Sequence, residues 1–418
     1  MEDKNYFDRN RRSRRTTQTA DQYASGRNRR AAEEEMRREA RMERKAENER
    51  KKYIRRLRLI LLLVMAAGIL MIVIGIFGAR KERIRVAAEK ERLTTEAIAR
   101  LTDHIPSDLV AHFSFSHLLA DDSAAGSSSA LTVDGFREIL QDLYDNDYVL
   151  VDIYDVAQIS RDGASLTYSP VLVDVPAGKK PFVLSERDVS YPLSDTGAGY
   201  ASKLIIDSEG NVSCQYRSGD GSVVTGAFDV VPVLEDFISK HPDFSVNGAR
   251  GVLALTGYNG ILGYRTTEFL GKTAEEGNPY AENYGTFNVA EERRNVLEVI
   301  KALKKKGWRF ACDTFSFTSY GVELDMVRAD AETWEIEVGS LIGDTDILFL
   351  PKSTDIGSWS GYPTGNEKYA YLRDRGFSWS CIQNNEEFSW LQIRKDYVRQ
   401  GIHEIETYDD YKSIMNKA

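Results

Sequence analysis

Histidine and cysteine are both scarce in this chain of 418 residues, which has five His and three Cys. The cysteines, Cys214, Cys312 and Cys381, are odd in number and widely spaced. They supply no disulfide framework and no pair at metal-ligand spacing, and read as small buried hydrophobes with at most one bridge. Four histidines are singly placed or poorly paired. His104 lies just before Pro106, His241 follows a helical run in SKHPDF, and His112 and His117 in AHFSFSH are five apart, on opposite faces of an extended run. Aromatic residues are nearly absent from the basic N-terminal region, which argues against nucleic acid as its partner because single strands are held by base stacking. Charge is missing altogether from the 21 residues Leu59–Ala79, LILLLVMAAGILMIVIGIFGA.

At about 1.5 Å of rise per residue, that run just spans a bilayer core of about 30 Å. Arg80, Lys81 and Arg83 follow it with no small-residue cleavage context, so it reads as an uncleaved signal-anchor. Residues 1–58 hold 20 Lys and Arg against 11 Asp and Glu, a net of +9, leaving 35 against 53 and a net of −18 for the rest. The positive-inside rule then places the N-terminus in the cytoplasm and the C-terminal domain outside the cell membrane, in a single pass. The local bias is smaller, with eight cations in residues 44–58 and six in 80–94. Residues 1–30 read as a disordered basic tail and 31–58 as a charged cytoplasmic helix with acid-first pairs such as Glu33–Arg37 and Glu47–Lys51. This basic stretch suits anionic lipid headgroups. Residues 80–104 read as a stalk helix ending at Ile105-Pro106. Gly68, Gly75 and Gly78 do not form a Gly-xxx-Gly pair, and the oligomeric state is left open.

Residues 105–418 are enough for one large domain. Short apolar runs predict strands at 110–115, 149–153, 181–184, 251–255, 309–312, 347–350 and 378–382. Helical patterns fall at 132–144, 230–240, 290–304, 330–341 and 367–375. This alternation predicts an α/β fold, a parallel sheet with helices outside. Between about 191 and 230, SKLIIDSEGNVSCQYRS reads as an inserted β-hairpin turning at Glu209-Gly210-Asn211.

The order of PFVLSERDV, GWRFACDTFSF, DILFLPKSTDI and GFSWSCIQ resembles the polysaccharide deacetylases of the NodB-homology type, in particular a membrane-anchored Gram-positive subgroup. TVDGFREILQDLYDNDYVLVDIYD and ALTGYNGILGYRT add to the resemblance, which covers about residues 105–400. It implies an irregular (β/α)7 barrel, a cell-wall or extracellular polysaccharide as partner, and a divalent metal, often zinc, that acidifies water for hydrolysis of a sugar acetyl group. Such sites use adjacent Asp residues as base and metal ligand, and two His four residues apart as further ligands.

At those positions this sequence departs from the pattern. Asp188 matches the ligand carboxylate, but Arg187 stands at the base position, and a guanidinium cannot accept the proton. Glu186 is a substitute only if it points the same way, and neighbours on an extended chain point apart. The two His positions hold Asp313 and Phe317; Phe349 stands where an Arg is expected before Pro351, and His403 is the nearest candidate for the late acid. The zinc site implied by the family is therefore disrupted, and Asp188 with Asp313 would suit magnesium or calcium better. His117 matches a histidine near the first strand of such barrels and reads as structural or solvent-exposed. Asp121-Asp122 and Asp409-Asp410 read as capping and solvation.

Trp359 and Tyr362, with Tyr369 and Tyr371 nearby, follow a strand end and offer aromatic faces for glycan binding, with buried packing as the competing reading. Three functions fit these observations. One is a deacetylase-like envelope protein with impaired catalysis that acts in glycan binding or regulation. The second is an active metal-dependent carbohydrate deacetylase with an atypical site, and the third a structural envelope interaction protein.

Overall fold

The computed structural model describes residues 102–120, 130–163, 165–218, 220–384 and 386–418, with scattered positions between Met42 and Ala88. The chain divides into two compact units, Met1–Ala97 and Ile98–Ala418. In the first unit the described positions are helical, including Glu49, Lys52, Arg83 and Arg85. Leu59, Leu61, Leu62, Leu63 and Met65 are helical and exposed. The predicted tail 1–30 and most of the 59–79 run lie outside the described residues. Among the described residues no helix is long and apolar enough to cross a membrane.

Seven strands of the second unit close into a parallel barrel: β1 (Ala111–Phe115), β2 (Lys180–Glu186), β3 (Val252–Leu255), β4 (Arg309–Cys312), β5 (Ile347–Leu350), β6 (Trp379–Gln383) and β7 (Tyr397–Ile405). They pair in chain order, and β7 pairs with β1 through His403–Phe113 to Ile405–Phe115. Side chains alternate between two layers, as the two-residue period of a strand requires. Val183, Val252, Ala254, Ala311, Ile347, Phe349, Trp379, Cys381, Val398 and Ile402 fill the interior. Phe113, Phe115, Phe182, Leu184, Leu253, Leu255, Leu348 and Leu350 face outward, under the helices.

The outer layer contains α1 (Val133–Asp145), α2 (Val230–Lys240), α3 (Val289–Lys306), α4 (Leu324–Trp334), α5 (Glu367–Asp374) and α6 (Tyr408–Met415). Their starts are written locally: Thr132, Asp229, Asn288, Asn366 and Thr407 each accept a first-turn backbone N–H. Asp410 completes a capping box with Thr407. Helix α1 buries Val133, Phe136, Ile139, Leu140 and Leu143, one apolar stripe at helical spacing.

Several expectations need correction. The strand predicted at 149–153 is Tyr148–Leu150, which pairs with the first half of β2, touches Ser245 through a single bridge at Leu150, and lies outside the ring. The strand that closes the ring, β7, has no uniform apolar run because Gln400 and Glu404 share its inward face with Val398 and Ile402. Residues 102–104, placed in the stalk helix from composition, belong to the strand Thr102–Pro106. It pairs with Leu172–Pro176, and Ile105 packs against the inner cluster of the barrel. The inserted hairpin gains a third strand, giving Ala201–Ile206, Val212–Arg217 and Val223–Gly226 in one antiparallel sheet. All three cysteines are buried and free.

Candidate functional site at the barrel mouth

The C-terminal ends of parallel barrel strands carry the side chains that chemistry can use. Arg187 directly follows β2 and Asp313 directly follows β4. Their backbone N–H groups extend the sheet, Arg187 to Phe115 O at 2.8 Å and Asp313 to Leu255 O at 3.0 Å. Both side chains continue the inward face, as does Glu404 near the end of β7.

These three form one ion network. Nε of Arg187 donates to Oδ2 of Asp313 at 3.2 Å and Nη2 donates to Oδ1, a two-pronged contact. Nη1 donates to Glu404. The Arg187 side chain is 4% exposed and that of Asp313 is fully buried, whereas Glu404 is 22% exposed. The rings of Phe317 and Phe349 lie 5.1 and 5.6 Å from the guanidinium carbon, within cation–π range. Burial lifts the Asp313 carboxyl above its ordinary range, and the guanidinium pulls it back toward ionisation.

Asp188 is next to this network and differently engaged. Its N–H donates to Oδ2 of Asp313 at 3.1 Å, while its own carboxylate accepts from Thr256 Oγ1 at 2.5 Å and Tyr258 OH at 2.9 Å. Burial raises the Asp188 carboxyl, and those hydroxyls oppose the shift. Asp188, Thr314 and Phe317 have φ of 47°, 57° and 50°, the left-handed region that non-glycine residues enter at a cost. Arg265 ties the supporting loops together, donating to the carbonyls of Asn259 and Tyr191 at 2.8 Å and of Ser190 at 3.2 Å.

Glu186 points the other way, into the layer between β2 and α2. Among the described residues, neither of its oxygens meets a donor, and Oδ2 of Asp229 is likewise unpartnered. Burial, then the charge of Asp229, pushes Glu186 well up. Facing away from the mouth, Glu186 does not replace a base there. His117 Nε2 lies 3.0 Å from Asp195 Oδ2. Burial lowers its basicity, but Asp195, Asp229 and Asp188 more than offset this and raise it overall.

The other histidines lie elsewhere. His112 is inside the barrel, 2.9 Å from Ser185 Oγ, and burial lowers its pKa to about 3. His403 is on the outer face of β7 with its Nε2 2.8 Å from the Phe388 carbonyl. His104 pairs with Asp174, and His241 stacks on Tyr144 and Phe237.

The aromatic candidates are on the barrel's flank. Tyr397 and Arg399 alternate with the inward-facing Val398 and Gln400, and Tyr362 packs on Tyr397 at 4.9 Å between ring centres. Tyr362 is 9% exposed, and its hydroxyl donates to Asp355 at 2.8 Å. Trp359 is 86% exposed, while its backbone carbonyl accepts from Gln392 at 3.3 Å and Arg399 at 3.4 Å. Tyr369 belongs to the Tyr362 cluster, and Tyr371 reaches toward Glu332.

A divalent metal fits this donor set poorly. Both Asp313 oxygens are taken by Arg187, both Asp188 oxygens by hydroxyls, and Phe317 has no lone pair to offer. Among the described residues, no group of three or more His, Cys, Asp or Glu side chains is arranged to hold a metal ion. Sequence reasoning reached Arg187, Asp188, Asp313, Phe317 and Phe349, but not Glu404, Thr256, Tyr258 or Arg265. The signal for Glu404 was the even-numbered face Val398, Gln400, Ile402, Glu404.

No protein-family model matches the chain, and no curated protein matches it. Among solved structures, a Streptococcus pyogenes deacetylase PplD in complex with acetate is similar at 8% identity and a TM-score of 0.37, covering 75% of this chain and 99% of that one. At that score the likeness carries no argument about fold or chemistry, and both rest on the strand pairing and the side chains themselves.

Proposed function

We propose that this chain is a membrane-anchored, deacetylase-like barrel of the cell envelope that does not perform metal-dependent deacetylation and acts by binding glycan. One observation carries the catalytic part. The departures seen in sequence at the base, second histidine and arginine positions meet at Arg187: the rings of Phe317 and Phe349 lie against its guanidinium, which is paired with Asp313. A base replaced by a permanently charged guanidinium, itself locked to the carboxylate that would have helped hold a metal, leaves no group to activate water. Loss of a base alone removes about 10²–10⁴ in rate.

The membrane part is supported by the charge-free run and by the exposed apolar side chains of Leu59, Leu61, Leu62, Leu63 and Met65, which lipid would cover. The glycan part is supported by Trp359, a large aromatic face held out in solvent by its backbone contacts. The test is titration of the full-length chain, in detergent, with acetylated chitooligosaccharides and peptidoglycan fragments. Saturable binding without acetate release, weakened at least tenfold in W359A, is expected. Acetate release, or binding indifferent to W359A, contradicts the respective half.

A second reading, hydrolysis at an atypical site, has its own observation: the Asp188 carboxylate accepts from Tyr258 at 2.9 Å and is one of the charges that raise the basicity of His117. Acetate release that persists in EDTA and is lost in H117A would favour it.

A further inference from the structure

Trp359 is at the tip of a turn, Ser358 to Gly361, closed by the Gly361 N–H on the Ser358 carbonyl at 3.0 Å. With the residue 86% exposed, packing of its own ring contributes little to fixing that turn. The hold comes from beneath and converges on one side chain. Arg399 is on the outer side of β7, opposite Gln392 of the strand Leu391–Arg394, and its side chain is 3% exposed. Nη1 donates to the Trp359 carbonyl at 3.4 Å and to Gln392 Oε1 at 2.9 Å, while Nη2 donates to Asp355 at the start of the same loop. The rings of Tyr362 and Trp390 lie 4.8 and 5.1 Å from the guanidinium carbon, within cation–π range. At the far end of the loop, the Tyr362 hydroxyl donates to Asp355 at 2.8 Å and its N–H donates to the Tyr397 hydroxyl at 3.1 Å. A planar fork of donors serves acceptors on separate segments and meets ring faces at the same time; an ammonium is a point charge that cannot.

We propose that Arg399 is a positioning residue for carbohydrate: buried and out of reach of a sugar, it fixes the loop from Asp355 to Tyr362 so that Trp359 is presented to a pyranose face. The inference rests on the glycan reading above and names the residue on which that reading depends. Tyr362 then belongs to the support of the loop and not to the face that meets sugar. A ring already fixed in place loses less freedom when a ligand stacks on it, so Arg399 raises affinity without touching the ligand.

The test uses the full-length chain in detergent and two readouts. The first needs no sugar: the fluorescence anisotropy decay of Trp359, taken as the difference between each protein and its W359F counterpart. The second is titration with an acetylated chitooligosaccharide in a double-mutant cycle. R399K is expected to fold, to give Trp359 a faster local rotation, and to bind the oligosaccharide about three- to tenfold more weakly. In a W359A background the same substitution is expected to change affinity by less than about twofold, because its effect passes through the ring that is gone. Q392A removes one acceptor of the guanidinium from a half-buried position and covers the case in which R399K does not fold; it is expected to move both readouts in the same direction by less. Unchanged rotation of Trp359 in the folded variant, or an affinity loss as large without Trp359 as with it, would overturn the positioning role and leave glycan binding standing. A wild type that binds no oligosaccharide overturns the glycan reading and this inference with it, whatever the rotation shows.

Discussion

Arg187 and Asp313 illustrate how much a single buried charge depends on its partner. Removing one member of a buried, hydrogen-bonded pair strands the other in a medium that cannot solvate it, at a cost of about 3–5 kcal/mol. D313N should therefore lower the unfolding free energy by about that amount in urea titration. E404Q should cost less, because Glu404 is 22% exposed and water can take over part of its role. Equal losses would mean that the two carboxylates share the guanidinium evenly.

The pair of His117 and Asp195 makes a pH prediction. His117 binds its proton more tightly in the folded chain than at the ordinary value of 6.5. Its contribution is thus fully present below about pH 6.5 and is lost as pH rises through the higher folded value. Asp195 is shifted down from 3.8, so its contribution is present above that value and lost in acid, away from this window. Between about pH 6.5 and pH 8 the wild type should lose urea resistance more steeply than H117Q. Parallel slopes would show that His117 gains no proton affinity on folding.

At this scale the sequence exposed the departures but not their partners. Arg187, Asp313 and Phe317 stood out because a guanidinium, a carboxylate and a phenyl ring occupy positions where other chemistry is expected. Glu404 stayed hidden because its meaning depends on which way β7 faces, and that is set by pairing with β1 across almost 300 residues of chain. Glu186 was resolved only by its orientation, which the strand period suggested and the burial beside Asp229 made definite.

At the scale of elements, the segment from Thr256 to Thr267 supports the mouth with its backbone. Gly260 has φ of 84°, and a Cβ there would lie 1.9 Å from the Tyr264 carbonyl oxygen and 2.8 Å from the Thr266 N. G260A should destabilise the chain by about 1–3 kcal/mol from backbone strain alone, and by more if the loop must move. A melting temperature equal to wild type would show that this turn relaxes freely. Helix α1 offers a comparison far from the mouth, where F136A removes a fully buried ring and should cost about 3–5 kcal/mol. Elements with local signals were readable in advance: α2, β4 and β5 fall at the predicted residues because caps and apolar runs define them. Tyr148–Leu150 has the same kind of apolar run as a ring strand, and only its pairing with Lys180–Phe182 excludes it from the ring.

At the scale of the whole molecule, ring closure explains why the polar residues are where they are. Charged side chains continue the inward face at the C-terminal ends of β2, β4 and β7, where Arg187, Asp313 and Glu404 meet, above an interior of Val, Ala, Ile and Phe that also holds the neutral polar groups of His112, Ser185 and Gln400. The alternation of strand and helix was legible because it repeats along the chain, and the closed seven-stranded barrel implied by the resemblance is found, although the apolar pattern by itself did not show β7, the strand that closes it. The membrane anchor is a proposal at this same scale. Fractionation of cells expressing the full-length chain should place it with membranes, and protease added outside should cleave residues 105–418 while sparing the N-terminus. Recovery in the soluble fraction would contradict the anchor.

The mouth of this barrel carries an arginine-centred ion network of Arg187, Asp313 and Glu404, and the proposed loss of metal-dependent deacetylation turns on it. The most direct measurement is metal content and acetate release on the same full-length preparation, incubated with zinc, cobalt or manganese and an acetylated chitooligosaccharide. Neither stoichiometric metal nor acetate above the uncatalysed background is expected. Stoichiometric metal with acetate release abolished by D188A would contradict the proposed loss.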